Sequence, residues 1–268
     1  MRHFLFLLIG LGLPCLSSGQ PWQLTKSVAR QGIEQFALDQ MGNIYVADDQ
    51  GAVAKYTTEG KFLVEYAPVQ VARIQEITAV SQLKVGLFYE DLQEFVFLNR
   101  YLSSPVRYRL ADFGLGYIED VAPNFQQALW VLDISDFSLK LIDTRQNRLL
   151  EQKSLAQVLS QHQAEILSFH SHQNRLYIVD RSAGVLVFDN IGNYLFQLMK
   201  EAPEEVGFDK DYIYFQQDGQ LQMVHLYEGE NKTVPLGDLK FLKIAYAHER
   251  LVAITPHGFN IYQYLSAR

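Results

Sequence analysis

The sequence has almost no cysteine, and this scarcity limits its chemistry. Its one cysteine, Cys15, lies in the apolar N-terminal segment of the 268-residue chain. Beyond that segment the chain has no thiol nucleophile, no thiolate metal ligand and no possible internal disulfide. We therefore expect its stability to come from a packed core alone.

Basic residues are also scarce relative to acidic ones. The chain has 23 Lys and Arg against 30 Asp and Glu, a formal net charge of −7. Proteins that bind nucleic acid need a basic surface for the phosphates. The sequence therefore predicts no nucleic-acid partner, and its charge favours cationic partners.

Apolar runs long enough to cross a membrane are missing as well. Arg2 and His3 precede an apolar run over residues 4–13, which ends in small residues before Gln20. This pattern is typical of a cleaved signal peptide over residues 1–19, and a membrane span would need about 20 apolar residues. We expect residues 20–268 to form one domain, a periplasmic, secreted or cell-surface bacterial protein without a transmembrane segment. Pro14 precedes Cys15 where a lipoprotein signal needs a small residue, so lipidation is not expected.

The clearest positive feature is an internal repeat. Residues 48–63 align without a gap with residues 180–195, and each segment follows a short apolar run that contains a tyrosine. The same rhythm recurs about every 40 residues, six times in all, which is typical of propeller blades. The short aromatic and β-branched segments between Gly, Asn and Asp turns favour strands.

The predicted fold is therefore all-β, a six-bladed β-propeller of four-stranded blades. The last unit has only three segments that read as strands, and residues 22–28 offer a further one. We expect this N-terminal strand to complete the last blade and close the ring, which removes an exposed sheet edge. Only residues 149–163 read instead as a short amphipathic helix, because leucines recur there at helical spacing.

One part of the repeat resembles a known family. The stretch Asp39-Gln40-Met41-Gly42-Asn43-Ile44-Tyr45-Val46-Ala47-Asp48, followed by Lys55-Tyr56 and Gly60, resembles the repeat of NHL-type six-bladed propellers, and residues 176–192 do so more loosely. The resemblance implies a secreted bacterial recognition platform. Some members and relatives of that family are lyases, lactonases or other metal-dependent enzymes, so the resemblance does not assign an activity.

Carboxylates recur where the innermost strand of each predicted blade begins. Such strand starts would ring one mouth of the central channel, where carboxylates repel one another unless a cation or a basic side chain lies among them. The predicted metal ligands are Glu34, Glu76, Glu119, Glu165 and Glu205. Calcium would be the cofactor of such a ring. Alternatively, the Lys243 side chain would supply the positive charge from within the protein. We expect these glutamates to be separately hydrated and the protein to have no cofactor, and the calcium ring is the alternative.

Two further groups are candidate sites. His170 and His172 would share one side of a strand and could hold a metal, although we expect at least one of them to lie in a loop. A protein-binding patch is predicted at Arg100, Tyr101, Arg107 and Tyr108, because Arg and Tyr are favoured at interface hot spots.

The motifs of common enzymes are absent. The sequence has no Gly-x-Ser-x-Gly element and no phosphate-binding glycine loop. We therefore expect a monomeric, non-enzymatic interaction module with a protein partner. The alternative is a metal-dependent hydrolase or lyase that uses the acidic ring.

Overall fold

The computed structural model describes residues 21–81, 84–123 and 128–265, and over these the chain forms six antiparallel four-stranded sheets. The sheets are the blades of a β-propeller, as the sequence predicts. The expected signal peptide and Cys15 lie outside the described residues. Innermost strand first, blade one consists of β2 (Ile33–Leu38), β3 (Ile44–Asp48), β4 (Val53–Tyr56) and β5 (Phe62–Tyr66), and blade two of β6 (Glu76–Ser81), β7 (Lys84–Tyr89), β8 (Glu94–Asn99) and β9 (Val106–Arg109). Blade three consists of β10 (Ile118–Pro123), β11 (Ala128–Asp133), β12 (Ser138–Asp143) and β13 (Arg148–Ser154), and blade four of β14 (Ile166–His172), β15 (Arg175–Asp180), β16 (Gly184–Phe188) and β17 (Tyr194–Met199). Blade five consists of β18 (Gly207–Asp209), β19 (Tyr212–Gln217), β20 (Gln220–His225) and β21 (Lys232–Pro235), and blade six of β22 (Lys243–Ala247), β23 (Arg250–Thr255), β24 (Gly258–Tyr264) and β1 (Trp22–Ala29).

The antiparallel order gives the propeller two distinct faces. We call the face where the innermost strands begin the N face, and the face where they end the C face. Because neighbouring strands run in opposite directions, the turn between the second and third strands of a blade lies on the N face. The turns between its first and second strands and between its third and fourth strands lie on the C face.

The outermost strand of blade six is β1, from the beginning of the described chain. It pairs with β24 from Trp22 opposite Tyr264 to Ala29 opposite Gly258. Trp22 is buried, and its indole N–H donates a hydrogen bond to the Pro235 carbonyl of blade five at 2.9 Å. This strand is thereby held on two blades.

The core lies between the blades, where the faces of neighbouring sheets meet. One apolar cluster joins blades one and two, another joins blades three and four, and a third joins blades six and one. The aromatic residues that the sequence places in strands are buried there, namely Tyr45, Tyr56, Phe88, Phe95, Phe97, Trp130, Tyr177, Phe188, Tyr214 and Tyr262. They fill the inter-blade space, so they are not available as a binding surface.

The helix predicted over residues 149–163 is wrong. Residues 148–154 form the outermost strand of blade three, and turns follow them. The helical spacing reflects a single turn, in which the Leu159 N–H donates to the Leu155 carbonyl at 2.8 Å. Both of these leucines are buried between blades three and four, whereas Leu149 and Leu150 are exposed on the strand.

No helix among the described residues is long and apolar enough to cross a membrane.

Candidate functional site

Buried aspartates fix the N-face mouth of the central channel. Asp133 and Asp180 end the second strands of blades three and four and are fully buried. Asp133 accepts a hydrogen bond from the Gly116 N–H, and Asp180 accepts one from the Glu165 N–H, each at 2.7 Å. These bonds fix the segment that leads into the innermost strand, because a buried carboxylate needs such partners. The corresponding Asp48 of blade one contacts Arg30 at 3.5 Å.

Three of the five predicted metal ligands are instead paired with basic side chains. Glu165 contacts Arg181 at 2.6 Å and Glu205 contacts Lys243 at 2.9 Å. Glu34 lies 3.8 Å from Arg73. Among the residues that the structure describes, no group of three or more His, Cys, Asp or Glu side chains is placed to hold a metal ion. The predicted calcium ring is therefore not favoured by this geometry.

The other two predicted ligands lie close to a carboxylate that our site prediction omits, Asp120. The pairing of β10 with β11 shifts register between Ile118 and Asp120, which leaves Glu119 as a bulged residue. A bulge redirects the side chains around it. Asp120 accepts hydrogen bonds from the Val121 N–H at 2.7 Å and from the Phe169 N–H of blade four at 2.8 Å.

Glu76 and Asp120 form a half-buried carboxyl pair with raised pKa values. Burial raises the pKa of Asp120 to about 7, although its two backbone donors oppose the shift. Burial and the charge of Asp120 raise the pKa of Glu76 well above its usual range, and Lys243 of blade six opposes this. Both side chains retain partial access to solvent through the channel. Both carboxyl groups therefore keep their protons to a higher pH than an exposed carboxyl group does.

Glu119 lies nearer the surface. Burial and the charge of Glu90 raise its pKa. Its neighbour Tyr117 donates a hydrogen bond to Glu90 at 2.8 Å. Glu119 thus faces other carboxylates without a basic partner among the described residues.

The predicted protein-binding patch falls into two parts. The Arg100 guanidinium covers the Tyr101 ring at 4.7 Å in the turn between β8 and β9, where Tyr101 is exposed. Arg107 and Tyr108 lie on β9 itself, so their side chains point to opposite sides. Arg107 is bonded to Glu94 and Tyr66, while Tyr108 packs on Phe97. These four residues do not make one continuous surface.

The two histidines both lie on β14, so the expectation that one of them is in a loop is wrong. The His172 Nε2 is 2.6 Å from the Lys210 carbonyl, so it carries a proton and donates. Burial lowers the pKa of His170 to about 4. His170 therefore stays neutral at pH 7, and its Nε2 has no hydrogen-bond partner in the described structure.

A different surface stands out, the outer edge of blade four. We call Ile191, Tyr194, Leu195 and Phe196 the blade-four edge; their exposed fractions run from 38% to 45%. On one side of the strand Tyr194 packs on Phe188, and on the other Phe196 lies 5.7 Å from the Arg175 guanidinium. Arg175 also covers the exposed Tyr227 of blade five at 4.6 Å.

The blade-four edge differs from the outer strands of the other blades. Among the six outermost strands in the described part of the chain, β17 alone has neither a charged residue nor a proline; the others carry Lys26, Glu65, Arg107 and Arg109, Arg148, Glu151 and Lys153, or Lys232 and Pro235. Such residues protect exposed strands from unwanted association. The composition of residues 194–199 is visible in the sequence, but their place at an exposed edge follows only from the strand order.

Comparison with known proteins adds to the fold but not to the site. No protein-family model matches the chain, and no curated protein matches it in sequence.

Among solved structures, a catalytically inactive virginiamycin B lyase from Staphylococcus aureus with quinupristin is similar at 11% identity and a TM-score of 0.56, over 90% of this chain and 83% of that one. A streptogramin B lyase is similar at 10% identity and a TM-score of 0.57, over 92% of this chain and 88% of that one. BamB from Moraxella catarrhalis covers 87% of this chain and 70% of its own at 15% identity, with a TM-score of only 0.45. At these identities the two lyase structures show a shared propeller fold and nothing about activity.

Proposed function

We propose that this protein is an exported β-propeller that acts as a protein-interaction module and contacts its partner through the blade-four edge. The observation that carries the proposal is the group of exposed apolar side chains on a strand without charge or proline. Exposed apolar side chains grouped along one sheet edge, on both sides of the strand, are typical of an interaction site. Arg175 and Tyr227 beside it are residue types favoured at interface hot spots.

The strand geometry indicates how such a partner would bind. The pairing of β17 with β16 shifts register twice, at Leu195 and at Leu198. Bulges interrupt the row of backbone groups to which an added strand would pair. The side chains of the edge therefore offer the contact, and an apolar surface of the partner is the matching chemistry. These side chains are 38–45% exposed, so burial of the remaining area contributes only about 0.6–1.3 kcal/mol each before the cost of association.

We also propose that the chain is an NHL-like propeller of the secreted bacterial type, a monomer located in the periplasm or outside the cell. The turn at Asp39 supports this: its carboxylate accepts hydrogen bonds from the Met41 and Asn43 N–H groups at 2.9 Å. Asp189 repeats the turn with Ile191 and Asn193. The leader-like N-terminal sequence supports export.

The proposed interface is tested by placing a charge on the edge. Leu195→Lys adds a lysine at a bulged position that is 43% exposed, so we expect the fold to be kept and partner binding to fall at least about tenfold, because the lysine must be desolvated on association. The measurement is quantitative co-purification of partners with the tagged protein from its own cells.

Blade one offers a matched control. Leu63 is bulged in β5 in the same way and is 47% exposed. Leu63→Lys should leave partner recovery unchanged, and thermal melts should show both variants folded. Equal recovery with the two variants, or equal loss, would contradict the assignment to blade four.

A further inference from the structure

Arg175 is a half-buried arginine at the junction of blades four and five, where β15 begins. Its guanidinium carbon lies 4.6 Å from the centre of the Tyr227 ring and 5.7 Å from the centre of the Phe196 ring. Tyr227 is held in place, because its hydroxyl donates a hydrogen bond to the Gln173 side chain at 2.8 Å. The cation therefore contacts an aromatic ring of each of the two blades.

The charge of Arg175 has no counter-charge in the described chain. The other half-buried arginines in this part of the protein, Arg30 and Arg250, contact Glu65 and Glu59 at 3.2 Å and 3.3 Å. No Asp or Glu among the described residues forms an ion pair with Arg175, which has aromatic rings in their place. A ring attracts a cation through its face, but it does not neutralise the charge or fill the five N–H donors of a guanidinium.

A tyrosine close to Arg175 leaves this charge in place. Tyr177 lies on the same side of β15 and is fully buried. Burial raises the pKa of Tyr177 to about 12, and the positive charge of Arg175 opposes that shift. The Tyr177 hydroxyl is therefore uncharged at neutral pH, and the Arg175 guanidinium stays without an anionic partner.

Arg175 is also continuous with the blade-four edge. Phe196 belongs to that edge, and β17 carries no charged residue of its own. The net charge of −7 favours cationic partners for the molecule as a whole. Beside the edge, however, the charge that a docked protein meets at Arg175 is positive, and an anion is its complement.

We propose that the protein that docks on the blade-four edge presents a carboxylate group to Arg175. The inference rests on the proposed function, because it takes this edge as the docking surface. A carboxylate accepts two parallel N–H bonds from a guanidinium, which matches the planar donors of Arg175. The Tyr227 and Phe196 rings cover part of the cation, and the lower local dielectric strengthens such a pair. The matching partner surface has an acidic group beside apolar side chains.

The first test removes the charge of Arg175 and keeps a polar side chain. Arg175→Gln should lower, about threefold to tenfold, the recovery of the same protein that Leu195→Lys fails to recover, because a half-buried charge pair is lost. The measurement is quantitative co-purification with the tagged full chain from its own cells. Arg148→Gln, at an exposed arginine on the outermost strand of blade three, is the control and should leave recovery unchanged. Thermal melts should show every variant folded.

The second test identifies the group that meets residue 175. Arg175→Lys places a primary amine there, and a water-soluble carbodiimide activates carboxyl groups in the captured complex. The amine of an adjacent lysine then forms an amide with the activated carboxyl group as the urea leaves. Mass spectrometry of the digest should find an amide between residue 175 and a carboxyl group of the partner, and none between residue 148 and the partner in the Arg148→Lys control.

The outcomes separate this contact from the docking surface. If Leu195→Lys loses the partner and Arg175→Gln recovers it as the unchanged protein does, the carboxylate contact is wrong and the docking surface stands. A partner that Arg175→Lys recovers without any amide at residue 175 contradicts the contact in the same way, and indicates a different group, such as a phosphate, at Arg175. If Leu195→Lys and Leu63→Lys recover the partner equally, the docking surface is wrong, and the proposed contact is wrong with it.

Discussion

The Asp120 carboxylate joins the free edges of two innermost strands. It reaches from β10 to the Phe169 N–H of β14, a group that no neighbouring strand pairs. Innermost strands leave such groups facing the channel, and a buried N–H needs an acceptor. The raised pKa of Asp120 therefore accompanies a structural role, and the charge of Asp120 helps to raise the pKa of Glu76.

Glu76 and Asp120 should make stability depend on pH. The unfolded chain releases their protons near pH 4, whereas folded Asp120 holds its proton until about pH 7. Between these values the folded state binds more protons, so this pair lowers the free energy of unfolding as pH rises from about 4 to 7. Glu76→Gln replaces the carboxyl group with an uncharged amide of the same shape. We expect it to raise the free energy of unfolding by about 1–2 kcal/mol at pH 8 and hardly at all at pH 4.5.

Urea unfolding at the two pH values measures this difference. Glu34→Gln, an exposed carboxyl on the same face, serves as the control and should show no such dependence. A Glu76→Gln variant that gains as much at pH 4.5 as at pH 8 would show that folding does not raise the pKa of Glu76.

The sequence places carboxylates at the channel mouth, but it does not tell which of two neighbours enters the channel. Glu119 and Asp120 are adjacent, and the bulge decides between them. A shift of one residue reverses the direction of a side chain, and nothing in the residue types marks the shift.

At the scale of elements, the strands follow from local chemistry. The segments at β3, β11 and β15 are apolar and buried on both sides, and Asp residues end them. The structure shows that equivalent turns of different blades differ in how closely other backbone approaches them. Gly184 and Gly219 both have positive φ, 76° and 72°, beside the turns between second and third strands.

These two glycines should respond differently to substitution. A Cβ at Gly184 would lie 2.1 Å from the Met199 carbonyl oxygen, whereas one at Gly219 would meet nothing within 4 Å. Both changes to alanine incur the left-handed cost of about 1–2 kcal/mol. Gly184→Ala should cost at least about 2 kcal/mol more, because backbone must move. Chemical unfolding of the two variants checks this, and equal losses would contradict the packing of β17 on that turn.

The helix predicted over residues 149–163 shows where a local sequence pattern does not predict the structure. Leu155 and Leu159 are buried on one side of a turn, which gives helical spacing without a helix. Leu149 and Leu150 lie on β13, which forms because it pairs with β12 as the fourth strand of blade three. Tertiary pairing outweighs helical propensity there.

At the scale of the whole molecule, a period of about 40 residues is enough to predict six blades. The proposed interaction surface could not be predicted in that way, because exposure depends on which strand is outermost in each blade. Arg107 and Tyr108 read as one patch in sequence, yet they lie on opposite sides of β9. Nothing in the residue types of Tyr194, Leu195 and Phe196 indicates that they lie on an outermost strand, where they are exposed.

The interaction surface on blade four is the central claim, and site-specific photo-crosslinking in the protein's own cells tests it most directly. A photoreactive phenylalanine replaces Leu195 in one variant and Leu63, its counterpart on blade one, in another. The account predicts a discrete protein adduct from position 195 and none from position 63. No adduct at position 195, or the same adducts from both positions, would contradict it.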